Sequence, residues 1–418
     1  MLQKGGCCQQ PKRKIVQTSQ PSPACYNPPQ EKPYTTCICR VVPTQRKALP
    51  SICNQCKLPI PPPPPPPPSP PQIVIVGTEF FDSTGSFPYG YYRSMVTSLD
   101  GGTTWQPTLG DDIEDDFTAN SYPSCVLYAN GLWIAACQIG SGGSPANPNW
   151  RPMVSSTDGL NWSYLNTGPA FVSFALRIAY GNGRWIIAGG PTSTTALVTS
   201  TNGVNFTDIT GATGLPAAGT VAYAGIHYAN GRWVLGKTGA DASGNCMYTS
   251  LDGLTWTACS GDTFSNGVCF DIYWNGSLWV AVGFEDSSPY PGAYTITTSS
   301  DGITWTRNTT ATFTGFGSYT GSIGVRVTYG NGRWIAVGQD GRMLTSTDGV
   351  NWSVATTSGL TITDYLDVKW TGQQWILVGA SAVPIVFTSP DGLNWTSKTI
   401  PGFTSTGNPQ AFAIAVKV

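Results

Sequence analysis

The sequence predicts an all-β protein built from seven copies of one strand-and-turn unit. Two observations support this prediction directly: one short turn pattern recurs at intervals of 43 to 58 residues, and tight-turn dipeptides lie between strand-forming runs. That interval is the length of one blade in a β-propeller. The copies of the turn pattern, termed the repeat turns below, are Ser98–Trp105, Ser156–Trp162, Ser200–Phe206, Ser250–Trp256, Ser299–Trp305, Ser346–Trp352 and Ser389–Trp395.

Composition is the third observation that favours an all-β, turn-rich chain. Only 11% of the residues are charged, whereas the chain holds 49 glycines and 15 tryptophans, and runs of helix-favouring residues are missing from the sequence. A single histidine, His227, argues against catalysis or metal binding that depends on histidine clusters.

Each unit is expected to contain two hairpins, and the repeat turn closes the second. The first hairpin turns at an Asn-Gly dipeptide, because a type I′ turn needs positive φ at both central residues. These dipeptides are Asn130-Gly131, Asn182-Gly183, Asn230-Gly231, Asn275-Gly276, Asn331-Gly332 and the degenerate Thr371-Gly372.

Six first hairpins accompany seven repeat turns, so one unit lacks a strand in linear order. The run from Ala411 to Val418 is a lone strand that can complete the unit formed by residues 72–109. We therefore predict that residues 72–418 form a seven-bladed β-propeller closed by the C-terminal strand, which leaves no free sheet edge.

The first repeat turn, S-x-D-x-G-x-T-W, resembles the Asp-box of the sialidase-like and sortilin-like propellers. The other six follow a compact variant, S-x-[DN]-G-x-[NT]-[WF]. In such a turn the acidic side chain accepts backbone N–H groups, glycine takes positive φ, and the aromatic residue packs between blades. A structural role is thus expected for Asp100, Asp158, Asn202, Asp252, Asp301, Asp348 and Asp391.

The resemblance extends to the fold and implies no activity. Sialidases grip a carboxylate with three arginines, but Arg184, Arg232 and Arg333 occupy one repeated position after a surface turn, and no Arg-Ile-Pro motif precedes them. No catalytic, cofactor-binding or metal-binding residues are predicted. The chain is therefore predicted not to be an enzyme; a sialidase-like glycoside hydrolase is kept only as the second alternative for its function.

Residues 1–58 form a segment in which cysteines are concentrated and large apolar residues are scarce. Such a segment cannot bury enough apolar surface to fold alone, so we expect an extended tail ordered by cross-links or a partner. Disulfides are the favoured interpretation, and the odd number of cysteines points to an intermolecular bond. The cysteines are Cys7, Cys8, Cys25, Cys37, Cys39, Cys53 and Cys56.

Two other interpretations of the tail cysteines stay open. The spacing Cys37-x-Cys39 and Cys53-x-x-Cys56 is tolerable for a zinc site with four thiolates. The pair Cys7-Cys8 could be acylated. Residues 59–71, with eight consecutive prolines, predict a stiff polyproline II spacer that rises ~3.1 Å per residue, roughly 40 Å in all.

Charge is distributed unevenly along the chain. Residues 1–57 carry nine Lys and Arg against one acid, whereas residues 72–418 carry thirteen against twenty-two. This opposition favours docking of the tail on another copy of the body; binding of nucleic acid, or simple solvation, is the alternative. The acidic run at residues 111–116 could serve as the docking patch or bind Ca²⁺.

Further cross-link and modification sites are predicted in the body. Cys246 and Cys259 are symmetric about the Asp252-Gly253 turn and are expected to form a cross-strand disulfide, with Cys269 as the alternative partner. A Cys125–Cys137 bond is disfavoured by register. Sequons, which permit glycosylation, occur at Asn161, Asn205, Asn275, Asn308, Asn351 and Asn394.

The function predicted from these features is structural. We expect the subunit of an extracellular or virion-associated filament, in which propellers join head-to-tail through the tail by disulfides and charge. The expected partners are copies of the chain itself, without nucleic acid, cofactor or membrane insertion, since no run approaches ~18 apolar residues and no secretory signal is recognisable. The alternative is a surface adhesin that binds glycans with the propeller face.

Overall fold

The computed structural model divides the chain into Met1–Pro66 and Pro67–Val418, and every residue described below belongs to the second unit. The tail with its seven cysteines, most of the proline spacer and the acidic run at 111–116 lie outside the described residues. The described ranges are 70–80, 91–108, 121–139, 153–165, 174–190, 195–217, 221–239, 244–287, 290–308, 326–338, 341–362, 364–380, 385–401 and 410–417.

The described residues form strands and turns, with no helix among them. The strands fall into antiparallel groups of four, here termed units 1 to 7. Unit 1 combines β1 (Gln72–Phe80), β2 (Tyr91–Ser98) and β3 (Gln106–Pro107) with the last strand, β29 (Gln410–Lys417). Unit 2 contains β4 (Ser121–Ala129), β5 (Leu132–Ile139), β6 (Met153–Ser156) and β7 (Ser163–Tyr164).

Units 3 to 5 repeat this arrangement. Unit 3 contains β8 (Phe174–Gly181), β9 (Arg184–Gly190), β10 (Leu197–Ser200) and β11 (Thr207–Asp208). Unit 4 contains β12 (Ala222–Ala229), β13 (Arg232–Thr238), β14 (Met247–Ser250) and β15 (Thr257–Ala258). After the short β16 (Ser260–Gly261), unit 5 contains β17 (Val268–Trp274), β18 (Trp279–Ser287), β19 (Tyr290–Ser299) and β20 (Thr304–Arg307).

Units 6 and 7 complete the series. Unit 6 contains β21 (Arg326–Gly330), β22 (Arg333–Val337), β23 (Met343–Ser346) and β24 (Ser353–Val354). Unit 7 contains β25 (Asp364–Trp370), β26 (Trp375–Ala380), β27 (Val386–Ser389) and β28 (Thr396–Lys398). Each unit contacts the next through its first strand, and unit 7 contacts unit 1 through β29.

The C-terminal strand completes the first unit, as the sequence predicts. Strand β29 pairs antiparallel with β1 in a register that places Val416 opposite Ile73 and Ile414 opposite Ile75. Ile73 and Ile75 on one face of β1, and Val74 and Val76 on the other face, are all fully buried. Alternating side chains of β1 therefore contribute to the packing on both faces of the sheet.

Four of the six first hairpins turn as predicted. Asn130, Asn182, Asn230 and Asn331 have φ near 48°, and the glycine after each also has positive φ. The prediction is wrong in detail at Asn275-Gly276 and at Thr371-Gly372, where the strands pair from Trp274 to Trp279 and from Trp370 to Trp375 and enclose four-residue loops. In the first of these loops the Asn275 side chain accepts the N–H groups of Ser277 and Leu278, so the asparagine no longer adopts positive φ.

The second strand of each unit is almost entirely buried in the core. In units 2 to 7 it begins with, or one residue before, a tryptophan that is at most 1% exposed: Trp133, Trp185, Trp233, Trp279, Trp334 and Trp375. Each of them packs beside an aromatic ring at the end of the first strand, as Tyr128 does beside Trp133 at 4.8 Å between ring centroids. Large aromatic area at this repeated position supplies much of the hydrophobic stabilisation.

Candidate functional site

The repeat turns are held by one set of hydrogen bonds. In the fourth turn the Ser250 hydroxyl accepts the N–H of Gly253 at 2.8 Å and donates to Asp252 Oδ1 at 3.0 Å. The same Oδ1 accepts the N–H groups of Leu254 at 2.8 Å and Thr255 at 2.7 Å. Each carboxylate is thus used to close its own turn.

The third turn shows that the acceptor atom matters more than the charge. Asn202 stands where the other turns have aspartate, and its Oδ1 accepts the N–H groups of Val204 and Asn205 at 2.9 Å each. The serine contacts are also present, since Ser200 Oγ lies 3.0 Å from Asn202 Oδ1 and 2.9 Å from Gly203 N. An amide therefore replaces the carboxylate without loss of the turn.

Hydrogen bonds from the backbone lower the pKa of the turn carboxyls. At Asp252 the N–H groups of Thr255 and Leu254 favour the ionised form against a small desolvation effect. The pKa of Asp301 is lowered for the same reason. At Asp100 burial opposes ionisation, but bonds from Thr104 and its neighbours lower the pKa to about 2. The turn carboxylates are thus ionised near neutral pH.

Two substitutions at Asp252 distinguish the stabilising effect of the hydrogen-bond acceptor from that of the negative charge. Asp252→Asn should change the free energy of unfolding by less than ~0.5 kcal/mol, because the amide oxygen can still accept both N–H groups. Asp252→Ala should cost about 1–2 kcal/mol, as loss of a capping side chain does. Urea unfolding of both variants measures the difference; equal losses would contradict the role given to the acceptor.

The glycine of each turn packs closely between two neighbouring units. A Cβ on Gly203 would lie 2.7 Å from Leu132 Cδ2 of the preceding unit and 3.2 Å from Trp185 Nε1 of its own unit. Gly203 also has φ of 73°. Backbone conformation and close packing therefore both require glycine here.

The aromatic residue of each turn packs against two units. Trp395 clusters with Ile335 and Val337 of unit 6 as well as with Trp375 of its own unit. Phe206 lies in the same way between Ile134 of unit 2 and the core of unit 3. The repeat turns therefore join neighbouring units as well as closing hairpins.

The predicted Cys246–Cys259 disulfide is absent from the structure. Neither residue forms a disulfide and both are buried, as is also the case for Cys125, Cys137 and Cys269. The hairpin pairs Tyr248 with Ala258 and is therefore centred on Gly253, which puts the two cysteines one position out of register. The Cys246 thiol donates instead to Gly267 O at 3.3 Å. Burial raises the pKa of Cys259 to about 12, which disfavours its reactive thiolate.

The sequon asparagines lie in different environments. Asn161, Asn205, Asn351 and Asn394 are exposed in the repeat turns, and Asn275 is half-buried. Asn308 is only 8% exposed, and its Nδ2 donates to the carbonyl of Val350. A glycan on that nitrogen would have to displace Asn308 from its place, whereas the exposed turn positions leave room for one.

The arginines of the Gly-Arg-Trp motifs brace their own units. Nη1 of Arg184 donates to Thr199 Oγ1 at 3.1 Å. Arg232 and Arg333 make the same bond to Thr249 and Thr345 at 3.1 and 3.0 Å. Three arginines each committed to a separate unit do not converge on one ligand.

A cavity that the sequence did not lead us to expect lies where the first strands of the units meet. Its volume is about 340 Å³, and its wall includes Arg177, His227, Asp271, Asp367 and Lys369. Tyr273 and Trp370 add aromatic rings to the wall. A charged residue inside an otherwise apolar strand is the signal that identifies these positions.

Two aspartates in the cavity wall tie neighbouring units together. Asp271 Oδ1 accepts Arg177 Nε at 3.2 Å, and Oδ2 accepts the N–H of Val327 in the next unit at 3.1 Å. Asp367 Oδ2 in unit 7 accepts the N–H of Ile414 in β29 of unit 1 at 2.9 Å; the boundary between these two units is termed the closing junction. Each aspartate follows a register shift in its strand, which turns the side chain toward the adjacent unit.

Electrostatic interactions in the cavity oppose the effect of burial on the pKa values of Asp367 and Lys369. Burial raises the pKa of Asp367, although the positive charges of Lys369 and Arg177 act against that shift. Burial disfavours the charged form of Lys369, but Asp367 and Asp271 hold its pKa above the ordinary value. The Lys369 Nζ atom lies 3.6 Å from Asp367 Oδ1. Lysine and aspartate thus support each other at the wall of the cavity.

His227 makes stability depend on pH. Burial, assisted by Lys369, lowers its pKa from 6.5 to about 4. The unfolded chain therefore takes up this proton at higher pH than the folded protein, and stability falls as pH decreases from about 6.5 to about 4. We expect a loss of roughly 2–3 kcal/mol over that window. Urea unfolding at several pH values measures it, and His227→Phe, which cannot titrate, should flatten the window; an unchanged slope would contradict this assignment.

Comparison with known proteins gives a fold and no family. No family model matches the chain, and no curated protein matches it. Among solved structures, the periplasmic gluconolactonase PpgL of Pseudomonas aeruginosa has a TM-score of 0.50 at 8% identity, over 83% of this chain and 99% of that chain. The fold is a β-propeller.

Other solved structures show weaker similarity. YCF48 bound to D1 peptide has a TM-score of 0.35 at 15% identity, over 83% of this chain and 94% of that chain. The Trypanosoma rangeli sialidase in complex with the inhibitor DANA has a TM-score of 0.38 at 12% identity, over 82% of this chain and 54% of that chain. These neighbours include enzymes and a peptide-bound protein, so function must be argued from this chain's own residues.

Within the described ranges, no helix is long and apolar enough to cross a membrane. The same ranges contain no group of three or more histidine, cysteine, aspartate or glutamate side chains arranged to hold a metal ion.

Proposed function

We propose that this chain is a non-enzymatic structural subunit, a seven-bladed propeller of the Asp-box kind. In this proposal the propellers join head-to-tail into a filament through residues 1–58, and the filament is extracellular or lies on a virion surface. Neighbouring subunits are first drawn together by charge and then fixed by disulfides between tail cysteines.

The organisation of the described body supports the structural part of the proposal. Seven four-stranded units follow one another, and β29 of unit 1 contacts β25 of unit 7. The repeated polar residues close turns or brace strands in every unit, as Asp252 and Arg232 do in unit 4. A chain whose repeated polar side chains stabilise its own framework is suited to a structural role.

The observation that carries the proposal is the opposition of charge between the two parts of the chain. Residues 1–57 have nine basic residues against one acid, and residues 72–418 have twenty-two acids against thirteen basic residues. A basic segment of one copy and an acidic body of another attract each other, and a contact between different surfaces can propagate into a polymer.

The described cysteines of the body are poorly placed to form disulfides between copies of the chain. All five described cysteines are buried, so covalent links between copies would use the seven cysteines of residues 1–58. An odd number of cysteines in one segment leaves at least one to pair outside that segment.

Electrophoresis of the full-length chain in SDS, which disrupts non-covalent contacts, with and without reductant tests the covalent part of the proposal. Without reductant we expect a ladder of covalent multimers, and with reductant a single monomer band. Replacement of the seven tail cysteines by serine should remove the ladder, whereas Cys259→Ser in the body should leave it. Monomers alone without reductant, together with no filaments by electron microscopy, would overturn the proposal.

The cavity favours the surface adhesin as the second candidate. Tyr273 and Trp370 contribute aromatic rings to a cavity of about 340 Å³ whose wall also carries charged side chains, a combination that suits stacking against a sugar. A glycan array probed with the full-length chain should give hits that Trp370→Ala abolishes. An array without hits would reject this candidate.

A further inference from the structure

Large apolar side chains are exposed on the body at one kind of position. In the part of the chain that the structure describes, six such residues are exposed, and all lie within or just after the repeat turns: Leu99, Val204, Leu251, Leu254, Val350 and Val354. Leu251 and Val354 are 63% and 68% exposed. Apolar side chains at equivalent positions of several units mark a surface that can be covered by a partner.

The repeat turns belong to one continuous surface because the chain links consecutive turns. The N–H of Trp256 in the fourth turn bonds to Thr213 O, which follows the third turn, at 2.8 Å. In the same way Ser260 N bonds to Ile303 O at 2.9 Å, joining the fourth turn to the fifth. The seven repeat turns and these linkers are termed the turn face.

The turn face combines this apolar character with negative charge. Six of the seven turns carry an aspartate, and the pKa of Asp100, Asp252 and Asp301 is among those lowered by turn hydrogen bonds. The basic residues near the same edge, Arg184, Arg232 and Arg333, are half-buried and bonded to threonines. The exposed charge of this surface is therefore mainly negative.

The chain enters the body at the turn face. The carbonyl of Pro71 accepts the N–H of Gly101 in the first repeat turn at 3.0 Å. Upstream lie the proline run and then residues 1–58, which hold nine basic residues and one acid. Fully extended, 58 residues reach roughly 190 Å, enough to follow several turns around a propeller.

We infer that the turn face is the surface that receives residues 1–58 of a second copy of this chain. The basic residues of the tail lie along the turn carboxylates, and its apolar residues cover the exposed leucines and valines. Eight consecutive prolines separate the tail from the body in the sequence, and the stiffness that such a run predicts disfavours folding back and favours a neighbour as the acceptor. This inference rests on the proposed self-assembly and names the surface that it uses.

Asparagine substitutions test the charge contribution without loss of the turn. Asn202 shows that an amide maintains the same backbone bonds. Asp252→Asn/Asp301→Asn/Asp348→Asn should therefore fold normally and weaken association of the full-length chain roughly tenfold at low salt. The converse variant Asn202→Asp, which adds one carboxylate, should strengthen association. Sedimentation velocity in reductant, at low and high salt, measures both.

The apolar contribution needs a second variant. Leu251→Ser/Leu254→Ser should weaken association at low and at high salt alike, since salt does not screen apolar contacts. Thr201→Ser, at the position of the third turn that corresponds to Leu251, is the matched control and should associate like the unsubstituted chain. If the triple asparagine variant and the double serine variant both associate like the unsubstituted chain, the inference is overturned.

The same measurements separate this inference from the filament. Open-ended polymers that the turn-face variants do not weaken would leave the filament standing and reject the turn face as its contact. A closed pair that those variants dissociate would support the turn face and reject the head-to-tail filament. A chain that is monomeric in reductant at every concentration would overturn docking on a second copy.

Discussion

Gly261→Ala is expected to destabilise the protein by about 3 kcal/mol or more. Gly261 has φ of 81°, where a Cβ costs roughly 1–2 kcal/mol. A Cβ at this position would also overlap the carbonyl oxygen of Trp305 in the next unit. Relief of that overlap requires the two backbones to separate, which adds the cost of an overpacked contact, roughly 1–3 kcal/mol.

The contact at Gly261 belongs to a backbone ladder between units. Ser260 N donates to Ile303 O and Asp262 N donates to Trp305 O, each at 2.9 Å, so the chain before and after Gly261 is fixed. Gly214 and Gly359 approach the carbonyls of Trp256 and Trp395 in the same way. Repetition at three junctions indicates that close backbone approach is a requirement of the architecture.

Gly231→Ala is the matched control for the close approach. Gly231 also has positive φ, at 73°, but nothing lies within 4 Å of its Cβ position. This variant should lose only about 1 kcal/mol, the conformational part of the cost. Urea unfolding monitored by tryptophan fluorescence measures both variants. Equal losses would show that the contact with Trp305 contributes nothing.

The repeat made the all-β architecture predictable because its turn residues have local physical meanings. Glycine at positive φ, serine and aspartate that bond to the turn backbone, and a following aromatic residue specify a hairpin without reference to distant residues. The prediction that the C-terminal strand joins β1 is confirmed by pairing such as Ile414 with Ile75. That inference needed only a count of strands in each unit.

Features that depend on distant contacts or on exact register were not predictable in this way. The hairpin at Asn275 contains the same dipeptide as the hairpin at Asn182, and its paired aromatic residues have the same spacing. The dipeptide lies one position earlier, however, because Asn275 directly follows Trp274 whereas Gly181 stands between Tyr180 and Asn182, and this shift changes the turn. The Cys246–Cys259 pairing was wrong by one position, because the turn is centred on Gly253. The cavity residues meet only when strands far apart in sequence come together.

Asp367→Ala is expected to lower the free energy of unfolding by about 3 kcal/mol, because it removes the side chain that connects unit 7 to β29. The buried N–H of Ile414 would lose its acceptor, and that of Val368 would lose its contact with Oδ1 at 2.9 Å. Lys369 would also be left in the cavity without its partner carboxylate. An unpaired buried donor together with an unpaired charge accounts for this magnitude.

Asp367→Asn is the variant that distinguishes the hydrogen bond from the charge. The amide oxygen can still accept the N–H of Ile414, so this substitution should cost less than Asp367→Ala. Hydrogen exchange of the amides of β1 and β29 reports on the junction itself. We expect faster exchange there in Asp367→Ala; unchanged exchange would show that the pairing of β29 with β1 holds this junction without Asp367.

Asp271→Ala is the matched comparison for Asp367→Ala. Asp271 makes the equivalent bond to Val327 between units 5 and 6, where the chain runs continuously from one unit to the next. At that junction, as between unit 7 and β29, the chain itself continues from one unit into the next. Unit 1 differs from unit 6 in its internal pairing, because β29 and β1 come from opposite ends of the body and are joined only by strand pairing. Faster exchange should therefore spread further around Asp367 than around Asp271, because loosening of β29 also loosens its pairing with β1, which no covalent connection supports.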